Sequence, residues 1–345
     1  MMTREFLEHL HAQDIRVWAE DDRLRCSAPK GVVTPEVRRE LELRKREILA
    51  FLRAGSTTGS SLVPIQSKGA RPPFFAVPGH NGDVFCYVSL AHFLGNDQPF
   101  YGLQPPGFEG EREPYDRVPD LAAHYVSEIT SCFPEGPYNL GGYCAGGGVA
   151  FEVAQQLVRR GAEVNVFALF DAPFPLTYRT RNRLVITTRY VLDQIPQYLR
   201  TCMDLDFRQK ARFLQDKMER LVQLFSESGA SATHPANDFK ARVASATMRA
   251  LTAYSPTPFP GRIDLFVASE ESLKNNYGQQ RRWQSCAGGG LDLHIGVDGC
   301  TSSTMLRDPY AKFFAEELRR CLDRSRRERA CSTERKQEEF TPLAR

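Results

Sequence analysis

The sequence predicts an α/β fold with a mostly parallel sheet, helices on both faces and a helical insertion. Three observations predict it. From residue 62 to about 322, short apolar runs alternate with helical stretches, the pattern of strands joined by crossover helices. One run is followed at once by Gly142-Tyr143-Cys144-Ala145-Gly146, with Gly147 and Gly148 behind it, where a strand turns sharply into a helix. Between residues 173 and 238 the strand signal stops and only helical spacing remains.

Taken in order, the expected strands of this region are 74–77, 100–103, 138–140, 164–170, 262–267 and 291–295. Expected helices include 121–130, 147–160 and 310–322. In the insertion, Phe207, Ala211, Leu214, Met218, Leu221 and Phe225 recur at helical intervals, and 184–199 is a second helix broken near Pro196. An all-helical insertion, about 173–238, could be extra core cover or a lid over a site, and its location favours the lid. Residues 323–345 are charged and poor in large apolar side chains, and are expected to fray in solvent.

A separate α+β unit precedes this region. Phe6, Leu7 and Leu10 share a helical face, and Ile15–Trp18 with Leu24–Cys26 alternate around an acidic turn, as in a hairpin. Thr34-Pro35 then supplies an N-cap and a proline at the first helical position. Val37, Leu41, Ile48 and Leu52 mark the apolar stripe of the helix that follows. Residues 1–53 are too few to bury much surface alone, so the unit is expected to lean on a partner or on the main body. Residues 54–61 (AGSTTGSS) read as a flexible linker.

Composition narrows the function classes. The net charge is +3, from 45 Lys+Arg against 42 Asp+Glu, with no basic stripe interleaved with aromatics, so nucleic acid is not an expected partner. No run approaches the length of a membrane span, and the first residues lack the apolar core of a signal peptide. Nine scattered cysteines without a CxxC pair suggest neither a disulfide framework nor a metal site, but a cytoplasmic chain with reduced thiols.

The glycine-flanked cysteine carries the chemistry. Gly142-x-Cys144-x-Gly146 is the nucleophile-elbow pattern with cysteine in place of serine. A nucleophile at a helix N-terminus sits in partial positive charge, which favours a thiolate. Asp171 ends the next strand, where carboxylates of open α/β sheets face the ligand crevice and can orient a base. The backbone N–H groups of Ala145 and of His80, in the loop Pro78-Gly79-His80-Asn81-Gly82, are candidate oxyanion donors. Plainer readings stand beside these: Cys144 as a small residue in a packing turn, Asp171 as a turn cap, His80 as a loop residue.

Two resemblances add to this reading. The stretch RLRCSAPKGVVTPEVRRELELRKREILAFL, with the helix and hairpin before it, resembles the TubC-type N-terminal docking domains of nonribosomal peptide synthetases. That implies a unit holding the C-terminus of an upstream synthetase subunit. FFAVPGHNGDVFCYVSLAHFL, PEGPYNLGGYCAGGGVAFEVAQQL, ALTAYSPTPFPGRIDLFVASE and STMLRDPYAKFFAEEL occur in the order seen in thioesterase domains of nonribosomal peptide and polyketide synthetases. The second resemblance implies an α/β-hydrolase fold over 62–322, Cys144 as nucleophile and Asp171 as triad acid. The substrate it implies is an acyl or aminoacyl group on the phosphopantetheine of a carrier protein, with no cofactor or metal bound by the chain itself.

The sequence departs from that family twice. Most members have serine at Cys144. The family's catalytic histidine stands about seven residues before the last helix's proline, and counting back from Pro309 gives Ser302, in a segment without histidine. His294 is nearest, but the eight residues between span roughly 26 Å if extended at about 3.3 Å each, so it can serve as base only if the loop folds back. His124 reads as structural. A thiol needs a base less than a hydroxyl does, and its acyl form is itself a thioester, so these departures favour acyl transfer over hydrolysis. The expected activity is an acyl- or aminoacyltransferase between carriers. The alternatives are a releasing, cyclising or editing thioesterase, and a non-catalytic adaptor between synthetase subunits.

Overall fold

The computed structural model describes residues 6, 10, 15–20, 23–27, 33–54, 60–108, 112–175 and 239–339. In the front unit, β1 (Arg16–Glu20) pairs antiparallel with β2 (Arg23–Ser27), with Arg16 opposite Ser27 and Glu20 opposite Arg23. The expected helix follows as two pieces, α1 (Pro35–Leu43) and α2 (Lys45–Ala54), that meet at Arg44. Thr34 caps the first: its hydroxyl accepts from the Val37 N–H at 3.3 Å, and Pro35 occupies the position where no N–H is needed. Phe6, Leu10, Ile15, Leu41 and Ile48 form the small core, against which Phe85 of the main domain also packs. The unit does lean on the main body.

The main sheet has seven strands in the order β3-β5-β4-β6-β7-β8-β9. They are β3 (Leu62–Gln66), β4 (Phe74–Val77), β5 (Phe100–Leu103), β6 (Tyr138–Tyr143), β7 (Val164–Phe170), β8 (Ile263–Val267) and β9 (Leu291–Ile295). All pairings are parallel except that of the edge strand β3 with β5. The sequence reading missed β3 because Pro64 sits inside it; proline is tolerated there because the strand is an edge, and the register shifts between Pro64 and Gln66.

Two apolar layers sandwich the sheet. On one face lie α4 (Val118–Cys132), α5 (Gly146–Arg159), α6 (Phe239–Ala253) and α7 (Glu270–Cys286), over Leu140, Phe167, Leu169 and Leu265. On the other, α3 (Val88–Leu94) and α8 (Tyr310–Glu339) cover Phe74, Val166, Ala168, Phe170 and Phe266. Successive β7 residues from Val166 to Phe170 therefore feed opposite layers, which is why that part of the strand is apolar without alternation.

Two expectations of organisation change. The end of the 54–61 linker is fixed: the Ser60 hydroxyl donates to Glu128 at 2.8 Å, the Ser61 N–H to the same carboxylate at 3.1 Å, and the Ser61 hydroxyl meets His124 Nε2 at 2.8 Å. The expected frayed tail from 323 is instead helical to Glu339. Several of its charges are paired, Asp323 with Arg71 at 2.8 Å, Arg324 with Asp292 at 2.7 Å and Asp264 at 2.9 Å, and Arg329 with Glu163 at 3.4 Å, while the Ser325 hydroxyl donates to the Asn165 carbonyl at 3.1 Å. The two expected lid helices, 184–199 and the one through Phe207 and Phe225, lie outside the described residues, which resume with α6.

Candidate active site

The site is built where β6 and β7 end. Tyr143 and Phe170 are register partners, and the ladder runs one residue further on each strand. The Cys144 N–H donates to the Phe170 carbonyl at 2.9 Å, and the Asp171 N–H to the Phe266 carbonyl at 2.8 Å. Cys144 and Asp171 thus stand side by side at the carboxyl edge of the sheet, where open α/β sheets hold their ligands. Among the described residues they are also the two non-glycine residues with positive φ, 51° at Cys144 and 43° at Asp171. Such backbone persists only where the surroundings impose it, and it clusters at functional sites.

Two glycines let the neighbouring loops close on the elbow. A Cβ on Gly146 would fall 2.0 Å from the Pro78 carbonyl oxygen, and one on Gly147 would fall 2.3 Å from the Ala172 Cβ. The loop after β4 and the loop after β7 therefore press directly on the start of α5. Gly146→Ala is expected to cost several kcal/mol, about the 1–3 of ordinary overpacking or more because backbone rather than side chain must yield. Urea unfolding of the variant measures it, and an unchanged midpoint would contradict the packing described.

The loop bearing Asp171 is held from behind by α7. Trp283, fully buried, donates its indole N–H to the Ala172 carbonyl at 2.8 Å, and Gln279 accepts from the Phe174 N–H at 2.7 Å. Trp283→Phe keeps most of the packing but leaves a buried carbonyl unpaired, so a loss of about 1–3 kcal/mol is expected in equilibrium unfolding.

The segment counted as the missing base position does reach the elbow. The Tyr143 hydroxyl donates to the Ser302 carbonyl at 2.8 Å. Around it the Thr301 hydroxyl lies 3.0 Å from those of both Ser303 and Thr304. Cys300 is buried, and burial together with the Asp171 charge pushes its thiol up. Hydroxyls and a thiol thus line the segment where the sequence reading counted Ser302 in the position of the family's histidine.

His294 is elsewhere engaged, which corrects its assignment as candidate base. Its Nε2 is 3.1 Å from Asp264, its Nδ1 is 3.3 Å from Glu317 of α8, and its ring stacks on Phe266 at 4.4 Å. Both nitrogens are committed on the α8 side of the sheet. His124 pairs with Ser61, as a structural histidine does. His80 lies in the turn after β4, closed by a Gly82 N–H bond to the Gly79 carbonyl at 3.0 Å, and burial holds its imidazole below the usual histidine range.

The expected low-pKa thiolate is not what the environment gives. Burial pushes the Cys144 thiol up to about 11, and the Asp171 carboxylate adds to the rise; the Ala145 N–H, bonded to the sulfur, opposes it. The helix-terminus argument is correct in sign but is outweighed by desolvation.

The thioesterase domain family matches residues 72–301, two thirds of the chain, and a TubC N-terminal docking domain matches 4–54. The chain belongs to the thioesterase domain family. Aspulvinone E synthetase melA of Aspergillus terreus is 34% identical over 140 residues, 39% of this chain but 15% of that protein. A dimodular nonribosomal peptide synthase of Bacillus subtilis is 39% identical over 112 residues, 32% of this chain and 5% of that protein. The thioesterase chain thus spans only a small part of the curated relatives' length. Among solved structures, a four-domain nonribosomal peptide synthetase bound to AMP and glycine superposes with TM-score 0.55 at 20% identity, over 75% of this chain and 20% of that one. The Vlm2 thioesterase domain gives 0.53 at 20% identity, over 75% and 96%. These superpositions show the α/β-hydrolase fold. No helix among the described residues is long and apolar enough to cross a membrane.

Proposed function

We propose that this thioesterase domain is an acyl- or aminoacyltransferase of nonribosomal peptide or hybrid polyketide biosynthesis, with Cys144 as nucleophile. The observation that carries the reading is a cysteine on strained backbone beside Asp171, facing a 299–304 segment with no imidazole. The Cys144 thiolate attacks the carbonyl carbon of a carrier-bound thioester. A carbon–sulfur bond to Cys144 forms, the bond to pantetheine breaks, and the pantetheine sulfur takes up the proton that Cys144 gave. The N–H groups of Ala145 and His80 are the donors assigned to the oxyanion between these states.

Acyl-cysteine and acyl-pantetheine are both thioesters, so the return step to a second carrier is nearly isoenergetic. A sulfur of high pKa is a slow leaving group, which holds the acyl group until an acceptor thiol arrives. Water needs a general base to compete, and the family's usual position for one holds Ser302. Asp171 sets the charge beside the sulfur. The docking unit at residues 1–53 is assigned to the C-terminus of an upstream synthetase, and carriers arrive in trans with their phosphopantetheine arms.

The test is the fate of the acyl group when a loaded carrier and an empty holo-carrier are mixed with the enzyme. The wild type is expected to move it to the second carrier, whereas Cys144→Ser traps it as an ester and Cys144→Ala leaves the donor loaded. Free acid or a cyclic product as the main outcome would establish a releasing enzyme instead. Equal transfer by Cys144→Ala would remove Cys144 from the reaction.

A further inference from the structure

The far side of the sheet holds a second cluster of reactive side chains that the acyl chemistry does not use. Asp264 of β8, His294 of β9 and Cys321 of α8 converge on one point. Asp264 and Cys321 are buried, 3% and 2% exposed, and His294 is nearly so. Carboxylate, imidazole and thiol are each ordinary metal ligands, and their donor atoms meet pairwise rather than in a chain. His294 Nε2 to Asp264 Oδ1 is 3.1 Å, Cys321 Sγ to Asp264 Oδ1 is 3.3 Å, and Cys321 Sγ to His294 Nε2 is 3.5 Å.

Those separations can be set against a tetrahedral zinc ion. Bonds of about 2.0 Å to oxygen and nitrogen and about 2.3 Å to sulfur place donor pairs about 3.3 Å (O/N) and about 3.5 Å (O/S and N/S) apart. The observed O–N and O–S edges are shorter by ~0.2 Å and the N–S edge already matches, so the triangle opens around an ion with minor side-chain movement. The histidine is oriented as metal-bound histidines are. Its Nε2 faces the other two donors while Nδ1 lies 3.3 Å from Glu317 Oε2, the carboxylate–histidine arrangement that fixes the ring around a metal. Glu317 is itself held by Arg320.

Charge is compatible with occupancy. Arg324 donates to the same oxygen, Asp264 Oδ1, at 2.9 Å and to Asp292 at 2.7 Å, so its charge is divided between two carboxylates and a bound ion shares Oδ1 with the guanidinium.

We propose that Asp264, His294 and Cys321 form a buried zinc site that staples α8 to the edge of the sheet. The second Asp264 oxygen or a water fills the fourth position. Its place explains why a long charged helix stays seated on the sheet beyond residue 322. Divalent zinc is the ion of choice because the set mixes one soft sulfur with nitrogen and oxygen, and its burial on the far side of the sheet from Cys144 makes it a staple rather than part of the acyl chemistry.

Cobalt(II) makes the site visible. The full chain, stripped with a chelator and titrated with Co²⁺, is expected to show a thiolate-to-cobalt band that saturates at one equivalent. The band should survive Cys144→Ala, which removes the active-site thiol, and vanish in Cys321→Ser. Should Cys321→Ser fail to fold, native mass spectrometry of the Cys144→Ala chain with added Zn²⁺ decides alone, by a gain of one zinc less two protons. A chain that takes up no metal, or a band that persists in folded Cys321→Ser, would overturn the site.

Discussion

Alkylation of Cys144 by iodoacetamide is expected to accelerate about a thousandfold between pH 7 and pH 10. The thiol is pushed up to about 11 by burial and by the Asp171 charge. Below that value the thiolate fraction, and with it the rate, rises about tenfold per pH unit, since the thiolate is the nucleophile. A cysteine paired with an imidazole behaves differently: its thiolate is present near neutrality and its rate levels off there. Peptide-resolved mass spectrometry at each pH separates Cys144 from the chain's other thiols. A plateau below pH 8 would mean that a base acts on the sulfur, and the release chemistry of the family would then become available.

Asp171→Asn provides the second large effect, and its direction is the informative part. In a triad the acid orients the imidazole, and replacing it by its amide costs about 10⁴-fold. Here the carboxylate stands beside the sulfur and raises its pKa, as a like charge does to a developing anion. Removing that charge lowers the thiol pKa, so alkylation of Cys144 near pH 7 is expected to become several-fold faster, with the pH profile shifted to lower values. A fall of several orders of magnitude would restore a triad and require a histidine partner for Asp171. Circular dichroism is the accompanying check, because Asp171 also takes a positive φ that asparagine shares.

What the sequence disclosed follows the range of the interactions. The strand at 164–170, the elbow at Cys144 and the helix behind it are local patterns, and the structure has them within a few residues. The hairpin of the front unit and the Thr34 cap were legible for the same reason. Edge strand β3 was hidden by Pro64, since nothing local says that a strand will lie at an edge. The residues beyond 323 looked solvated because their charges were read without partners; Arg324 finds Asp264 and Asp292 some 60 and 32 positions away.

The site follows the same division. Cys144 and Asp171 were found from strand ends and glycines, whereas the thiol's pKa depends on burial, which no spacing reports. His294 was carried as a base by proximity in sequence, yet its partners come from β8 and α8. The donors of the proposed zinc site lie on three separate elements, so no ligand-spacing motif could have announced them. Ser302 was reached by counting from Pro309, and its carbonyl accepts from the hydroxyl of Tyr143, the residue before Cys144.

The central claim is that Cys144 holds an acyl group for a thiol and withholds it from water. The most direct measurement is the intact mass of the chain after mixing with an aminoacylated carrier protein, followed by a chase with fresh holo-carrier, alongside Cys144→Ala. The account predicts an adduct on the wild type alone that is discharged onto the second carrier much faster than it decays in buffer. An adduct lost mainly as free acid or cyclic product, at a rate the holo-carrier does not change, would contradict it.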